Sequence, residues 1–512
     1  MEKKNSSKTH FRTKTAEIEE KAEIKETAKI KAVLMIYPPV GLFMRGEDRC
    51  QSEIDESSAT APRTPIDAIS IAGVLKNKGI KFYFKDYTLE KQSWRDFRAD
   101  LKKLNPDALI ISTTNATILK DLLALKIAKK INHKIITIMK GALFFSIPKK
   151  ILNLPEFKHL DIAIRKEADT IISDLVDALN KNTSNIDTSL SKVEGIIYQS
   201  KKGWVQTDLG EFLKNLDELP LPNLAVCNNS LYINPDTGNM LTTIETSRGC
   251  PFSCYYCLTP IISGKIPRHK SPDRIVDEIG ICVKKYKIKE FFFKADTFTI
   301  NKKNVIQTCK EILKRKLKIS FVANSRTDTI DEEMIYWMKK AGCKIIAFGI
   351  ECGTNRQKAQ IKKGSKISDD LKAVALCKKH KIKTYGFFMI GFPNETTKDV
   401  EATIKFMFKL DCDFVELHIA TPFIGTQLYG QSKALGLISH EKEILGHSYF
   451  SSPAMGTKYI SAKKLKAIRK KALRKYHLRP KYIFKKILSI KNLGQLKNYI
   501  KYGLRLLKNT KQ

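Results

Sequence analysis

Short apolar runs and longer segments with apolar positions three and four apart alternate along most of the chain. A run such as Ala32–Tyr37, closed by Pro38 and Pro39, reads as a buried strand. Further on, helix Ile66–Lys78 precedes strand Lys81–Tyr87, and helix Trp94–Leu104 precedes strand Ala108–Ser112. Helix Leu119–Ile131 then precedes strand Lys134–Met139, and strand Asp161–Arg165 precedes helix Ile171–Leu179. Strands alternating with helices of this length predict βαβ units and a parallel sheet covered on both faces. Residues 32–180 are therefore expected to form a doubly wound, Rossmann-like α/β domain. Residues 181–240 are turn-rich around Pro220, Pro222 and Pro235 and read as a linker with a hairpin at Gly195–Thr207.

A second βα series occupies residues 241–435. Its strands are expected near 242–247, 289–294, 318–325, 344–350, 383–390 and 413–420. Successive crossovers of one hand predict a partial or complete parallel barrel, read here as a (β/α)6 partial TIM-type barrel. Reactive groups in both kinds of fold gather at the carboxyl ends of the strands. A polar arm, residues 1–31, precedes the two units, and a basic helical extension, residues 436–512, follows them.

The composition agrees with a globular chain of 512 residues, 42% of them apolar, with 25 Gly and 18 Pro. No apolar run approaches the ~18 residues that span a bilayer, and the first ten residues lack the apolar stretch of a secretory signal. A cytoplasmic location is expected. The formal charge of +39, from 92 basic and 53 acidic residues, raises nucleic acid, an anionic membrane or a lysine-rich background as explanations. Residues 461–512 hold eighteen Lys or Arg and no acid. Apolar positions at helical spacing, Ile483, Phe484, Ile487 and Leu488, lie among them. Such a segment lies on an anionic membrane or packs its apolar face on the barrel. It carries no nucleic-acid motif.

Eleven cysteines, an odd number, argue against a secreted disulfide framework. Three stand together in Glu245-Thr-Ser-Arg-Gly-Cys250-Pro-Phe-Ser-Cys254-Tyr-Tyr-Cys257, directly after the first barrel strand. A structural zinc site uses four closed ligands, and no fourth Cys or His lies in this loop. Thiolates also hold iron–sulfur clusters, where three ligands would leave one iron open.

This loop, placed after the first strand of a βα barrel, resembles the radical S-adenosylmethionine (radical SAM) enzymes. The resemblance continues through Phe292-Phe-Lys-Ala-Asp-Thr-Phe298, Asn324-Ser-Arg-Thr-Asp328 and Ala341–Gly353. It extends to Gly386-Phe-Phe-Met-Ile-Gly-Phe-Pro-Asn-Glu-Thr396 and Thr421-Pro-Phe-Ile-Gly-Thr426. The first domain, with Tyr37-Pro-Pro39, Pro106–Ser112 and Ile164–Glu167, resembles the cobalamin-binding domain that precedes the barrel in one subgroup. The resemblance implies that Cys250, Cys254 and Cys257 hold a 4Fe-4S cluster whose open iron chelates S-adenosylmethionine. It places Tyr256 beside the adenine and Asp296 at the SAM amino group, although the usual Gly-Gly-Glu is absent. Ser325, Arg326 and Glu351 are the remaining SAM candidates, Glu351 and Arg326 through ribose or carboxylate. The alternative for those two is that they pair with each other.

For cobalamin the candidates are Ser112, Thr113 and Gly141. No Asp-x-His-x-x-Gly motif is present, so no protein histidine is expected on cobalt. The subgroup's Gly-Gly pair is Lys140-Gly141 here. The implied reaction is reductive cleavage of SAM to a 5′-deoxyadenosyl radical, with cobalamin-dependent methylation of an unactivated carbon. The alternatives are radical cyclisation or rearrangement, or a non-enzymatic iron–sulfur electron carrier. Methylthiolating RNA enzymes carry a second cysteine trio, whereas residues 1–226 contain only Cys50. The implied partners are an organic substrate and a reductant such as flavodoxin or ferredoxin.

Period two along the fourth barrel strand puts Ile345, Ala347, Gly349 and Glu351 on one face, expected to line the lumen. Ile346, Phe348 and Ile350 take the other. On the sixth strand Glu416 and His418 share a face. They are candidate substrate or catalytic contacts, with a structural hydrogen-bonded pair as the alternative.

Overall fold

The computed structural model describes residues 29–45, 62–181, 185–438 and 455–488, with the separate positions 54, 445, 490, 496, 499 and 500. Residues 1–28 of the polar arm and Cys50 lie outside the described residues. Strands β1 (Ala32–Tyr37), β2 (Lys81–Asp86), β3 (Ala108–Ser112), β4 (Ile136–Lys140) and β5 (Ile162–Ile164) are parallel, in the order β2-β1-β3-β4-β5. Every residue of β3, β4 and β5 is buried, because helices cover both faces of these apolar runs. The strand order reverses between β1 and β3, which opens a crevice at their carboxyl ends. The hairpin foreseen between the two units is β6 (Ile196–Ser200) and β7 (Gly203–Gln206). It pairs antiparallel onto β5 and extends the first sheet to seven strands rather than standing apart.

The second sheet begins at β8 (Leu241–Glu245). The two-residue strands β9 (Ser247–Arg248) and β10 (Arg268–His269) then pair with each other and frame the cysteine loop. The other strands are β11 (Glu290–Lys294), β12 (Ser320–Ser325), β13 (Cys343–Glu351), β14 (Lys383–Ile390) and β15 (Phe414–Ile419). They are parallel and stand in chain order from β8 to β15. The connecting helices follow from local chemistry. Helix Thr397–Leu410 opens on a capping box between Thr396 and Asp399, closes on Asp411 at φ +50°, and buries Val400, Phe406, Met407 and Leu410 along one stripe. Gly342 (φ +106°) starts β13 where a Cβ would stand 2.2 Å from the Ile319 carbonyl, so the turn needs glycine.

Two observations tie the parts together. Arg248 and Arg268, on β9 and β10, reach the first unit: Arg248 bonds Asp169 (2.5 and 3.0 Å) and Glu167 (3.1 Å), and Arg268 bonds Glu167 (2.6 and 3.0 Å). Helix Ala462–His477 covers the free edge of β15, where Arg469 donates to the Leu417 carbonyl (2.7 Å) and Tyr476 to the Cys412 carbonyl (2.5 Å). Covering the edge satisfies backbone groups that would otherwise invite another strand. Among the described residues no helix is long and apolar enough to cross a membrane.

Candidate active site

The cysteine loop leaves the carboxyl end of β8 and β9. Cys250, Cys254 and Cys257 are half-buried, whereas the other seven described cysteines are buried. Burial pushes the thiols of Cys282, Cys309, Cys377 and Cys412 up to about 12, which leaves them as inert core residues. The loop is held from below by Asp296, just past β11. Its carboxylate accepts the Gly249 N–H (2.8 Å) and the Thr259 hydroxyl (3.2 Å), while the Thr259 N–H reaches Cys257 Sγ at 3.5 Å. Cys250 Sγ is 3.6 Å from the Thr297 hydroxyl. Among the described residues no three Cys, His, Asp or Glu side chains close around a point that would seat a single ion. A four-iron cluster, taking each thiolate on a different iron, asks for a wider spread.

The residues expected around SAM come together on the same side. Arg326, past the end of β12, stacks on Phe252 (3.5 Å to the ring centre), lies 3.6 Å from Cys254 Sγ, and is clamped by Asp328 (2.7 and 2.9 Å). Glu351 ends β13 at φ +69°, beside a register shift that turns its carboxylate toward Lys363 (3.2 Å) and the Tyr256 hydroxyl. A left-handed glutamate is strained, and the strain is spent on aiming this side chain. Arg326 and Glu351 thus have separate partners, and the pairing of one with the other does not occur. Ser325 is buried in a hydroxyl chain with Thr299 and Thr329. The Tyr256 ring lies 5.8 Å from Phe392.

Between the two sheets lies a cavity of about 800 Å³, counting its open mouth. Its barrel side holds Glu245, Arg248, Lys294 and Asp296; its other wall holds Asp67, Ser70, Ile71, Lys140 and Gly141. Of the three cobalamin candidates only Gly141 lines it. A Cβ on Gly141 would stand 2.6 Å from the Thr113 carbonyl, so the close approach of these two strand ends needs glycine. Ser112 and Thr113 are buried, and the Ser112 hydroxyl bonds Asp67, which stands on the cavity wall. The Ser112 carbonyl accepts Arg45 (2.7 Å), and Thr113 donates to Asp121 (2.7 Å), which is also paired with Arg45. Lys140, which stands where the subgroup has a glycine, forms a buried ion pair on this wall with Asp67 (3.0 Å), itself bonded by Tyr37. Backbone at Gly141 on this wall lets a large planar group approach closely.

A second cavity, of about 710 Å³, opens on the inner face of the second sheet. Phe292, Asn324, Ile345, Ala347, Tyr385 and Phe387 line it with Phe414 and Arg63. Ile345 and Ala347 face it as expected, while Ile346, Phe348 and Ile350 pack in the core. Arg63 stacks on Phe292 at 3.7 Å. Glu416 accepts Arg469 (3.1 Å), both fully buried, so its carboxylate docks the C-terminal helix rather than waiting for a substrate. His418 packs edge-on against Phe387, and burial, only partly offset by the Glu416 charge, lowers its imidazole to about 4.

Sequence reasoning missed Lys363, Thr259, Arg45 and Arg469, whose partners Glu351, Asp296, Asp121 and Glu416 lie outside their own local segments. It also missed Glu395. Burial raises the Glu395 carboxyl to about 7, even though Gly391 N (2.7 Å), Phe392 N (3.2 Å) and Gln357 (2.9 Å) donate to it. Its folded value lies above the unfolded ~4.3, so the folded state binds the extra proton between them. Stability should therefore fall as pH rises from ~4.3 to ~7 and level off above, by about 1–3 kcal/mol from this group. Urea titrations at pH 5 and pH 7.5 should show that Glu395→Gln removes this part of the slope; an unchanged slope would contradict the assignment.

Comparison with known proteins agrees with this geometry. The radical SAM superfamily profile matches residues 244–407. An uncharacterized methyltransferase of Pyrococcus horikoshii is 33% identical over 406 residues, 79% of this chain and 86% of that one. The anaerobic magnesium-protoporphyrin IX monomethyl ester cyclase of Rubrivivax gelatinosus is 27% identical across 70% of this chain and 64% of its own length. The chain belongs to the radical SAM superfamily of enzymes. In fold it is similar to the radical SAM methyltransferase TsrM of Kitasatospora setae, with a TM-score of 0.62 at 15% identity over 80% of this chain and 77% of that one. It is also similar to the cobalamin-dependent SAM radical enzyme OxsB, at 0.59 and 20% identity over 84% and 58%.

Proposed function

We propose that this protein is a cobalamin-dependent radical SAM methyltransferase acting on an unactivated carbon of an apolar organic substrate. The observation that carries the reading is the meeting of three half-buried thiols with Asp296, Arg326, Glu351 and Tyr256 at the carboxyl ends of β8 and β11–β13, beside a cavity walled by Gly141. When bound, the cluster supplies the electron that cleaves the SAM sulfonium, and cobalamin carries the methyl group. Cys250, Cys254 and Cys257 hold the irons. Asp296 fixes the loop through Gly249 and Thr259 and offers its carboxylate to the SAM amino group. Arg326 faces the SAM carboxylate, Glu351 the ribose, and Tyr256 the adenine. Ser70, Ile71, Lys140 and Gly141 form the wall for the corrin. The second sheet is read as a partial (β/α)6 barrel whose inner aromatic cavity takes the substrate.

The relatives that support methyl transfer include the Pyrococcus methyltransferase and the cytidylyl-2-hydroxyethylphosphonate methyltransferase of Streptomyces wedmorensis. The cyclase relative favours a second reading, radical cyclisation without methyl transfer. Mass spectrometry of cell extract incubated with the reconstituted enzyme, SAM, cobalamin and a low-potential reductant separates them. A substrate gaining one methyl group is expected. A product that instead loses hydrogens, with no methyl gained, would favour cyclisation.

A further inference from the structure

The two C-terminal helices share a lysine-rich composition but are buried in different ways. Helix Ala462–His477 buries Leu465, Arg469, Ala472, Leu473 and Tyr476 against β15 and its neighbours. Helix Pro480–Leu488 buries no residue fully. Its inner face is Tyr482 and Lys486: Tyr482 packs on His477 at 5.1 Å, and Lys486 Nζ stands 3.4 Å from the centre of the Phe414 ring. One residue per ~100° of turn puts Ile483, Phe484, Ile487 and Leu488 within a single arc about 140° wide on the opposite side. They are 41%, 63%, 58% and 69% exposed. Beside this arc, Arg479, Lys481 and Lys485 share one carboxylate, Asp411, which leaves most of their charge uncompensated.

We propose that helix Pro480–Leu488 seats the protein on an anionic phospholipid surface, with its apolar arc in the headgroup boundary and the flanking lysines on lipid phosphates. Neither half of the pattern is explained without the other. Docking on the protein already has its own face, Tyr482 and Lys486, and leaves the arc outside. A polyanion such as nucleic acid would take the eighteen charges of residues 461–512 but offers no place for four large apolar side chains. A bilayer with acidic lipid takes both. Phe414, under Lys486, also lines the inner aromatic cavity, so the seated protein holds that cavity beside the lipid. This inference does not depend on the reaction proposed above.

Sedimentation of the full-length protein with vesicles tests it. Binding is expected to equimolar phosphatidylcholine–phosphatidylglycerol and not to phosphatidylcholine alone. It should weaken at least about tenfold in about 0.5 M NaCl, where charges are screened within a few ångströms. A Phe484→Ser/Leu488→Ser double variant should weaken it by a similar factor, with an unchanged far-UV circular dichroism spectrum. Shortening the chain before helix Ala462–His477 would not serve, because it would also uncover β15. No pelleting at low salt, or equal pelleting of wild type and variant, would overturn the proposal. So would self-association that the variant abolishes without any lipid binding, which would make the arc a protein interface.

Discussion

Replacing any one of Cys250, Cys254 or Cys257 with Ala is expected to abolish SAM cleavage while leaving the fold intact. The three thiols are half-buried and contribute little to either core, so their loss removes ligands and not packing. A cluster with two protein ligands has a second iron exposed, and iron retained per chain should fall well below four. The neighbouring hydroxyls cannot substitute, because Thr259 and Thr297 are hard donors suited to other metals. By contrast, Cys282→Ala or Cys309→Ala should keep the cluster and cost stability, since each empties a space in the core. Iron content, visible absorbance and urea titration of the five variants check both halves. A loop variant that retains four irons and still cleaves SAM would contradict the assignment.

The second large effect is expected at Arg248, which immediately precedes the Gly-Cys of the loop. Its guanidinium serves Glu245 (2.7 and 2.9 Å), Asp169 and Glu167, all buried. Burial by itself would raise the Glu245 carboxyl, but Arg248 and Lys294 outweigh that and hold it well below the usual range. In Arg248→Ala, Glu167 keeps Arg268 and Glu245 keeps Lys294, but Asp169 loses both of its bonds to the guanidinium. An uncompensated buried carboxylate costs about 3–5 kcal/mol, and the remaining partners place this variant near the lower figure. That is a large share of the ~5–15 kcal/mol that holds a folded chain. Arg248→Lys keeps the charge but loses the fork that reaches three carboxylates, so an intermediate loss is expected. A loss below about 1 kcal/mol for Arg248→Ala in urea would show that the cluster of charges is not what joins the two units.

The sequence showed most strands to within a residue or two, because β3, β4 and β13 are apolar runs bounded by turn residues. The thiol loop was legible for a similar reason: its spacing is local. What escaped was set by contacts between distant segments. Thr113 stands at the right strand end, but the Arg45–Asp121 pair, seventy-six residues apart, takes its hydroxyl, and Ser112 reaches the cavity wall through Asp67. Glu416 read as a site residue because alternation puts it on an inner face, yet Arg469 from the tail claims it. Lys363 reaches Glu351 from a loop after the strand, and nothing in its own neighbourhood marks it. The tail offered two readings, membrane or packing. Its first helix packs on β15, and the apolar arc of the second stays exposed.

The most direct test of the central claim is a single-turnover reaction of the anaerobically reconstituted protein with SAM and dithionite, read by liquid chromatography and mass spectrometry. The account predicts 5′-deoxyadenosine and methionine in equal amounts, dependent on the reductant and on all three cysteines. A protein that holds a full cluster and binds SAM yet forms no 5′-deoxyadenosine under these conditions would contradict it.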